Sequence, residues 1–290
     1  MCGLSLRYVI ALGGNVLEKE SAVVVARAVC RLHSEGHGII ITHGNGPQVG
    51  ELYLKEGKSL SLLTEETQDD IGREIKKAIL ENCSRANVAI VRTRTLVSAH
   101  DKEFSNPSKP IGKFYRDEAN VPGGREGFEV RKLEKGYRLV VPSPAPVRIL
   151  ELQKIRVLLE KGEIVIAAGG GGAAMTMSQG RPRRADAVID KDMTSALLAE
   201  KINADGFFIL TDVDGAYLDF KKRKKMPIAR MDTAKARKYA KLGCFGKGSM
   251  LPKVNACIEF AEKTGKRAAI GNIEKAEIVL EYKSATIVAP

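Results

Sequence analysis

Tryptophan is absent from this chain and aromatic residues make up only 5% of it. Proteins that hold single-stranded nucleic acid stack bases on exposed rings, so this scarcity argues against a nucleic-acid partner in spite of a net charge of +12. No helix-turn-helix, RNP-type or zinc-finger pattern accompanies the charge, which suits small anionic substrates instead. The five cysteines (Cys2, Cys30, Cys83, Cys244 and Cys257) are odd in number, far apart and free of C-x-x-C pairs. That pattern argues against a zinc site or a disulfide framework and predicts reduced thiols, with Cys30 and Cys257 filling core on helices. No apolar run exceeds strand length, which excludes a bilayer-spanning helix, and the start lacks the small-residue cleavage site of a leader, so a cytoplasmic protein is expected. Both standard nucleotide fingerprints are missing too. G-x-x-x-x-G-K-[ST] does not occur, Gly246-Lys247-Gly248-Ser249 lacks its spacing, and no strand leads into G-x-G-x-x-G. A bound nucleotide must be held another way.

What is present is a rhythm. Strand-like runs at 8–12, 38–42, 88–91, 164–168, 207–211, 268–270 and 286–289 alternate with helical stretches, which predicts an α/β fold: a three-layer, open, mainly parallel sheet with helices on both faces. Residues 100–146 break the rhythm with proline, glycine and charge, and are expected to form a small protruding subdomain. At 290 residues the chain suits one large α/β domain or two lobes.

Three strands end in glycine-rich turns: Gly13-Gly14-Asn15, Gly44-Asn45-Gly46, and the four glycines 169–172 with Gly170 and Gly171 at the centre. Without a Cβ, successive N–H groups can point at one phosphate or carboxylate. One glycine pair is more often a plain turn, but three at the strand ends of one sheet mark a ligand site. The first two turns supply amide donors for a small acceptor, without the arginine fork that grips a larger carboxylate. His43 beside them could act as a base. An acceptor that is already an ionised carboxylate needs none, so a structural histidine is the preferred reading.

The stretch 187–220 carries most of the chemistry. Met193, Ala196, Leu197 and Ile202 recur near helical spacing, which places Lys191 and Asp192 at a helix N-terminus, where amide groups and the helix dipole favour an anion. The run GFFIL at 206–210 is apolar on both faces, as a strand inside a helix-covered sheet must be, and ends at Thr211-Asp212-Val213-Asp214-Gly215. Asp212 is the better nucleotide-side candidate, since Asp214-Gly215 also reads as a tight turn. The basic run at 221–225 is either a solvated loop or an attractor of phosphates toward the cleft.

YVIALGGNVL (8–17), ITHGNGPQVG (41–50), NPSKPIGKFY (106–115), VVPSPAP (140–146), VIAAGGGG (165–172), AVIDKD (187–192), ILTDVDG (209–215) and GSMLPKV (248–254) together resemble, in that order, the carbamate kinases of the amino acid kinase superfamily. The resemblance implies reversible phosphoryl transfer between ATP and carbamate, giving ADP and carbamoyl phosphate. It implies Mg²⁺ held mainly by phosphates rather than by protein ligands. Lys191 and Lys253 would contact the transferring group and Asp192 would orient them. Lys109 would supply, from the excursion, the cation that N-acetylglutamate kinase and its kin place before the first Gly-Gly, where this chain has Ala11-Leu12. Three lysines and one Mg²⁺ then offset about the four negative charges of ATP and the one of carbamate. Gly170, Gly171, Asp212, Asp214, Tyr217, Met250 and Lys253 fall to the nucleotide, with Tyr217 and Met250 lining an adenine slot. The resemblance also implies two lobes, 1–161 with the acceptor site and the excursion, and 162–290 with the nucleotide site.

The chain departs from the family pattern in three places: a shortened loop after Asn15, Leu251 for a glycine, and the acidic segment 65–70. Another acylphosphate-forming kinase of the same fold, or a nucleotide-binding regulator, therefore stays open. A homodimer across residues 52–80 is also implied. Leu60, Leu62, Leu63, Ile71, Ile75 and Ile79 supply more apolar side chains than one surface helix needs, and Glu65, Glu66, Asp69 and Asp70 would meet Arg73, Lys76 or Lys77 of a second copy.

Overall fold

The computed structural model describes residues 5–13, 19–121, 129–133, 136–218, 226–246 and 248–290. Gly14, Asn15, the loop through Leu17 and the basic run 221–225 lie outside the described residues.

The chain opens with β1 (Arg7–Leu12), α1 (Lys19–Ser34), β2 (Gly38–His43), α2 (Gly46–Glu56), α3 (Leu60–Asn82), β3 (Val88–Ile90) and β4 (Arg94–Val97). It then leaves the sheet for β5 (Lys109–Tyr115), β6 (Glu129–Leu133) and β7 (Gly136–Val141), and returns through β8 (Pro146–Ile149), α4 (Leu152–Glu160) and β9 (Ile164–Ile166). A hairpin of β10 (Ala173–Ser178) and β11 (Arg181–Val188) leads to α5 (Lys191–Lys201) and β12 (Gly206–Thr211). Last come β13 (Tyr217–Leu218), β14 (Met226–Pro227), β15 (Arg230–Asp232), α6 (Thr233–Lys241), α7 (Met250–Thr264), β16 (Ala268–Asn272), α8 (Ala276–Val279) and β17 (Ala285–Ala289).

Eight strands form the main sheet in the order β15-β17-β16-β12-β1-β2-β9-β3, parallel throughout except between β16 and β17. Strand alternation sends Val9, Ala11, Phe207 and Ile209 to one face, under α4, α5 and α7, and Ile10, Leu12, Phe208 and Leu210 to the other, under α1, α3 and α8. The α/β, three-layer expectation thus holds, and all seven strand-like runs lie in this sheet. The eighth strand, β15, buries only Met231 and so carries no apolar run to announce it. The sheet is continuous across residue 161, because β9 lies between β2 and β3.

The excursion is a three-stranded antiparallel sheet, β5-β7-β6, whose Ile111, Leu139 and Val141 pack on Val49 and Tyr53 of α2 and on Leu60 and Leu63 of α3. A further sheet, β11-β10-β4-β8, has no counterpart in the sequence reading.

Two expectations need correction. Cys30 of α1 and Cys83, which caps α3, are joined by a disulfide with their Cα atoms 5.9 Å apart, and are not reduced thiols. Spacing and parity miss the pair because the packing of α1 on α3 brings together residues 53 apart in sequence. Cys257 is a free, buried core residue as read. Five of the six apolar residues offered for a second copy are also already used: Leu60, Leu63, Ile71, Ile75 and Ile79 are buried in the protomer's own cores, while Leu62 is half-buried. Glu65, Glu66, Asp69 and Asp70 likewise find Arg184, Lys58, Arg92 and Arg73 of the same chain. Among the described residues no helix is long and apolar enough to cross a membrane.

Candidate active site

Parallel neighbours in the order β12-β1-β2-β9 end on one edge of the sheet, and there the chain turns at Asp212, Gly13, Gly44 and Gly169. The turn after β9 explains its four glycines. Gly170, Gly171 and Gly172 have φ of +59°, +83° and +83°, and a Cβ on Gly170 would sit 2.1 Å from the Asn45 side-chain amide. One on Gly169 would sit 2.5 Å from the His43 ring, so the second and third turns pack with no room for a side chain. Asn45, itself buried, donates to Thr67 Oγ1 at 2.9 Å. Some of the expected amide donors are already committed within the fold. Gly13 N–H donates to Leu210 O at 2.9 Å, Gly44 N–H to Leu12 O at 3.1 Å and Gly171 N–H to Ala168 O at 3.0 Å.

Helix α5 starts against this turn, with Thr194 Oγ1 donating to Gly171 O at 3.1 Å. Its N-cap is Asp190, whose Oδ1 accepts from the amides of Asp192 at 2.9 Å and Met193 at 3.2 Å. Within the first turn Lys191 Nζ donates to Asp192 Oδ1 at 2.5 Å, and Lys253 Nζ, from the first turn of α7, donates to Asp192 Oδ2 at 2.9 Å. The Asp192 side chain is 4% exposed. Burial alone would raise its pKa, but the two ammonium groups outweigh burial and hold the carboxyl well below its usual range. Burial lowers Lys191 in spite of Asp192, whereas for Lys253 the pull of Asp192 outweighs burial and the pKa is raised. Lys109, the first residue of β5, donates from Nζ to Asp190 Oδ2 and to Ile189 O, both at 3.2 Å. The three lysines named from sequence therefore converge on the four residues 189–192.

The amino acid kinase family pattern matches residues 7–272. The chain is 38% identical to the carbamate kinase of Thermoplasma volcanium, over 98% of this chain and 100% of that one. Against the carbamate kinase of Pyrococcus furiosus it is again 38% identical, over 98% and 99%. Its fold matches carbamate kinase from Giardia lamblia bound to AMP-PNP with a TM-score of 0.86 and 32% identity, covering 100% of this chain and 99% of the other. The chain belongs to the carbamate kinases of the amino acid kinase family.

In this carbamate kinase family member the remaining candidates lie at varied distances from the lysines. Asp212, just past β12, accepts from Thr211 Oγ1 at 3.1 Å, and its charge acts on Lys253. Asp214 turns outward and is held by Lys275 at 2.8 Å and Asn272 at 3.3 Å. Tyr217 is half-buried in β13, and Met250 opens the helix that carries Lys253. His43 is buried and its Nδ1–H donates to Gly44 O at 3.1 Å; burial lowers its pKa to about 4, so the ring is neutral. A cavity of about 470 Å³ lies beside Lys109 and Asp190, walled by Lys102, Arg138, Met193 and Leu251. A second cleft of about 600 Å³, between α2 and β5, is lined by Pro47, Glu51, Leu54, Lys55, Gly112, Lys113 and Tyr115 and touches none of the lysines above. Among the described residues no cluster of acidic, histidine or cysteine side chains could cage a metal ion by itself.

Two residues were given no role from sequence. Asp190 stands directly before a helical apolar pattern, the usual N-cap signal, and could have been found that way. Gln68 could not. Buried in the middle of α3, it clasps Thr93, accepting from its N–H at 2.7 Å and donating to its carbonyl at 3.0 Å, and nothing local in sequence announces that pairing.

Proposed function

We propose that the protein catalyses reversible, Mg²⁺-dependent phosphoryl transfer between ATP and carbamate, giving ADP and carbamoyl phosphate. The observation that carries this reading is Asp192 buried between Lys191 and Lys253, with Lys109 one carboxylate away. Phosphoryl transfer asks for fixed positive charge around a group whose oxygens carry negative charge, and for little else from the protein. Lys191 and Lys253 contact the transferring group, Lys109 adds the third charge, and Asp192 keeps two ammonium groups side by side despite their repulsion. Carbamate is already a carboxylate, so no residue need remove a proton, and the neutral, enclosed His43 is left a structural role.

The halves of the chain divide the work. Gly13, Gly14, Asn15, Gly44, Asn45 and Gly46, within residues 1–161, hold the acceptor. Gly170, Gly171, Asp212, Asp214, Tyr217, Met250 and Lys253, within 162–290, hold the nucleotide. Mg²⁺, held mainly by the nucleotide phosphates and not by direct protein ligands, would supply charge neutralisation there. A cytoplasmic setting and a homodimer complete the proposal. Purified protein given ADP, Mg²⁺ and carbamoyl phosphate should form ATP in a coupled assay. No ATP above the non-enzymatic background, together with phosphorylation of acetate or another small acid, would replace this reading with a neighbouring acylphosphate kinase.

A further inference from the structure

Asp190 uses its two oxygens for two different elements. Oδ1 caps α5 through the amides of Asp192 and Met193, which fixes the carboxylate in orientation, and Oδ2 accepts from Lys109 Nζ at 3.2 Å. Lys109 sits on β5, whose three-stranded sheet shares no strand pairing with the main sheet, so no backbone ladder sets where its ammonium group lies relative to Lys191 and Lys253. Asp190, aided by the Ile189 carbonyl, supplies that register. Both partners are about a quarter exposed, at 23% and 27%, and such a pair contributes little to stability. Its consequence is positional: the residue that starts the helix bearing Lys191 also fixes the lysine delivered from the excursion.

We infer that Asp190 is a positioning residue for Lys109, holding it in line with the Lys191–Asp192–Lys253 cluster. The inference rests on Lys109 serving phosphoryl transfer as proposed above. Asp190→Asn separates the two tasks, because asparagine caps a helix as well as aspartate does but leaves the lysine without a carboxylate. In that variant kcat should fall about tenfold or more while the KM for ADP stays within about twofold. In a Lys109→Ala background the same change should alter kcat by less than about twofold, since interacting residues are non-additive. Asp190→Ser, which caps but cannot reach Lys109, should behave like Asp190→Asn.

A second readout needs no turnover. Acylation of the Lys109 amine by acetic anhydride, followed by peptide mass spectrometry, should be severalfold faster in Asp190→Asn, at an unchanged melting temperature. Equal kcat losses in both backgrounds, an unchanged or raised kcat in Asp190→Asn, or an unchanged labelling rate would overturn the inference. If the parent protein makes no ATP from carbamoyl phosphate, it is the functional reading that fails, and the labelling comparison alone decides the role of Asp190.

Discussion

Asp192 is the residue on which most depends, because it faces two buried ammonium groups with one carboxylate. Removing one member of such a cluster leaves uncompensated charge in a low-dielectric site, so Asp192→Ala should lose about 3–5 kcal/mol of stability as well as activity, read by denaturant melts and the coupled assay. Lys109→Ala should instead leave stability nearly intact, lower kcat by about 10²–10³-fold, as loss of one transition-state charge contact does, and spare ADP affinity. Unchanged turnover would show that the third charge comes from elsewhere, Lys102 or Lys113 being nearest in sequence. Acid should act on two groups in separate windows. The His43 pKa is lowered to about 4 in the fold against about 6.5 unfolded, so the unfolded chain takes up the proton first and about 3 kcal/mol of stability is lost as pH falls from 6.5 to 4. Asp192 is also depressed, so its contribution is complete above the unfolded carboxylate range near pH 4 and is lost only below it. His43→Gln should flatten the pH 4–6.5 slope of stability without shifting the pH profile of kcat; a large kcat effect with an altered profile would make His43 a participant. Lys191 and Asp192 were legible in sequence from their place at the start of an apolar helical pattern, whereas Lys109 and Lys253 stood out only through the resemblance to the carbamate kinases. Which oxygen of which carboxylate each lysine meets was not, since Lys109 and Asp190 lie 81 residues apart.

At the scale of elements, a strand or helix was legible where one face or both are apolar over several residues, as in β12 or α5. β11 reads RPRRADAV and buries only its last part, so neither it nor its sheet could be inferred from pattern alone. The excursion was announced by its proline and glycine, but what seats it is a contact no local pattern shows. A Cβ on Gly50 of α2 would lie 2.1 Å from the backbone nitrogen of Gly112 in β5, where φ is +70°. Backbone cannot swing aside as a side chain does, so Gly50→Ala must push β5 off α2. A cost of about 1–3 kcal/mol is expected, as for other overpacked sites. Because β5 begins with Lys109, kcat should fall as well, with ADP binding kept. Wild-type melting and turnover in Gly50→Ala would show that the excursion is seated by its apolar contacts alone.

At the scale of the whole molecule, the internal partners of Glu65, Glu66, Asp69 and Asp70 change what a dimer would feel. Charges already paired within each copy give salt little to screen between copies, so a dimer seen by light scattering should persist as salt rises, and one that dissociates would return charge to the interface. The disulfide acts on the scale of the chain in a different way. By tying α1 to the end of α3 it closes a loop of 53 residues that contains β2, α2 and all of α3, and the loop-entropy account gives such a closure about 4 kcal/mol. Thiols in a reducing cytoplasm are normally kept open, so the stability of this protein should depend on the redox state in which it is held. Activity should not. Gln68, which clasps the wall of the site, stands 15 residues before Cys83 on α3, roughly 22 Å along the helix axis. Reduction by dithiothreitol, or Cys83→Ser, should therefore lower the melting temperature by something on the order of 5–10 °C while leaving kcat at 25 °C within about twofold. The variant should also become insensitive to dithiothreitol, which separates this bond from any effect on Cys244 or Cys257. Alkylation of both Cys30 and Cys83 in unreduced native protein, with no change in melting on reduction, would show that the bond does not form.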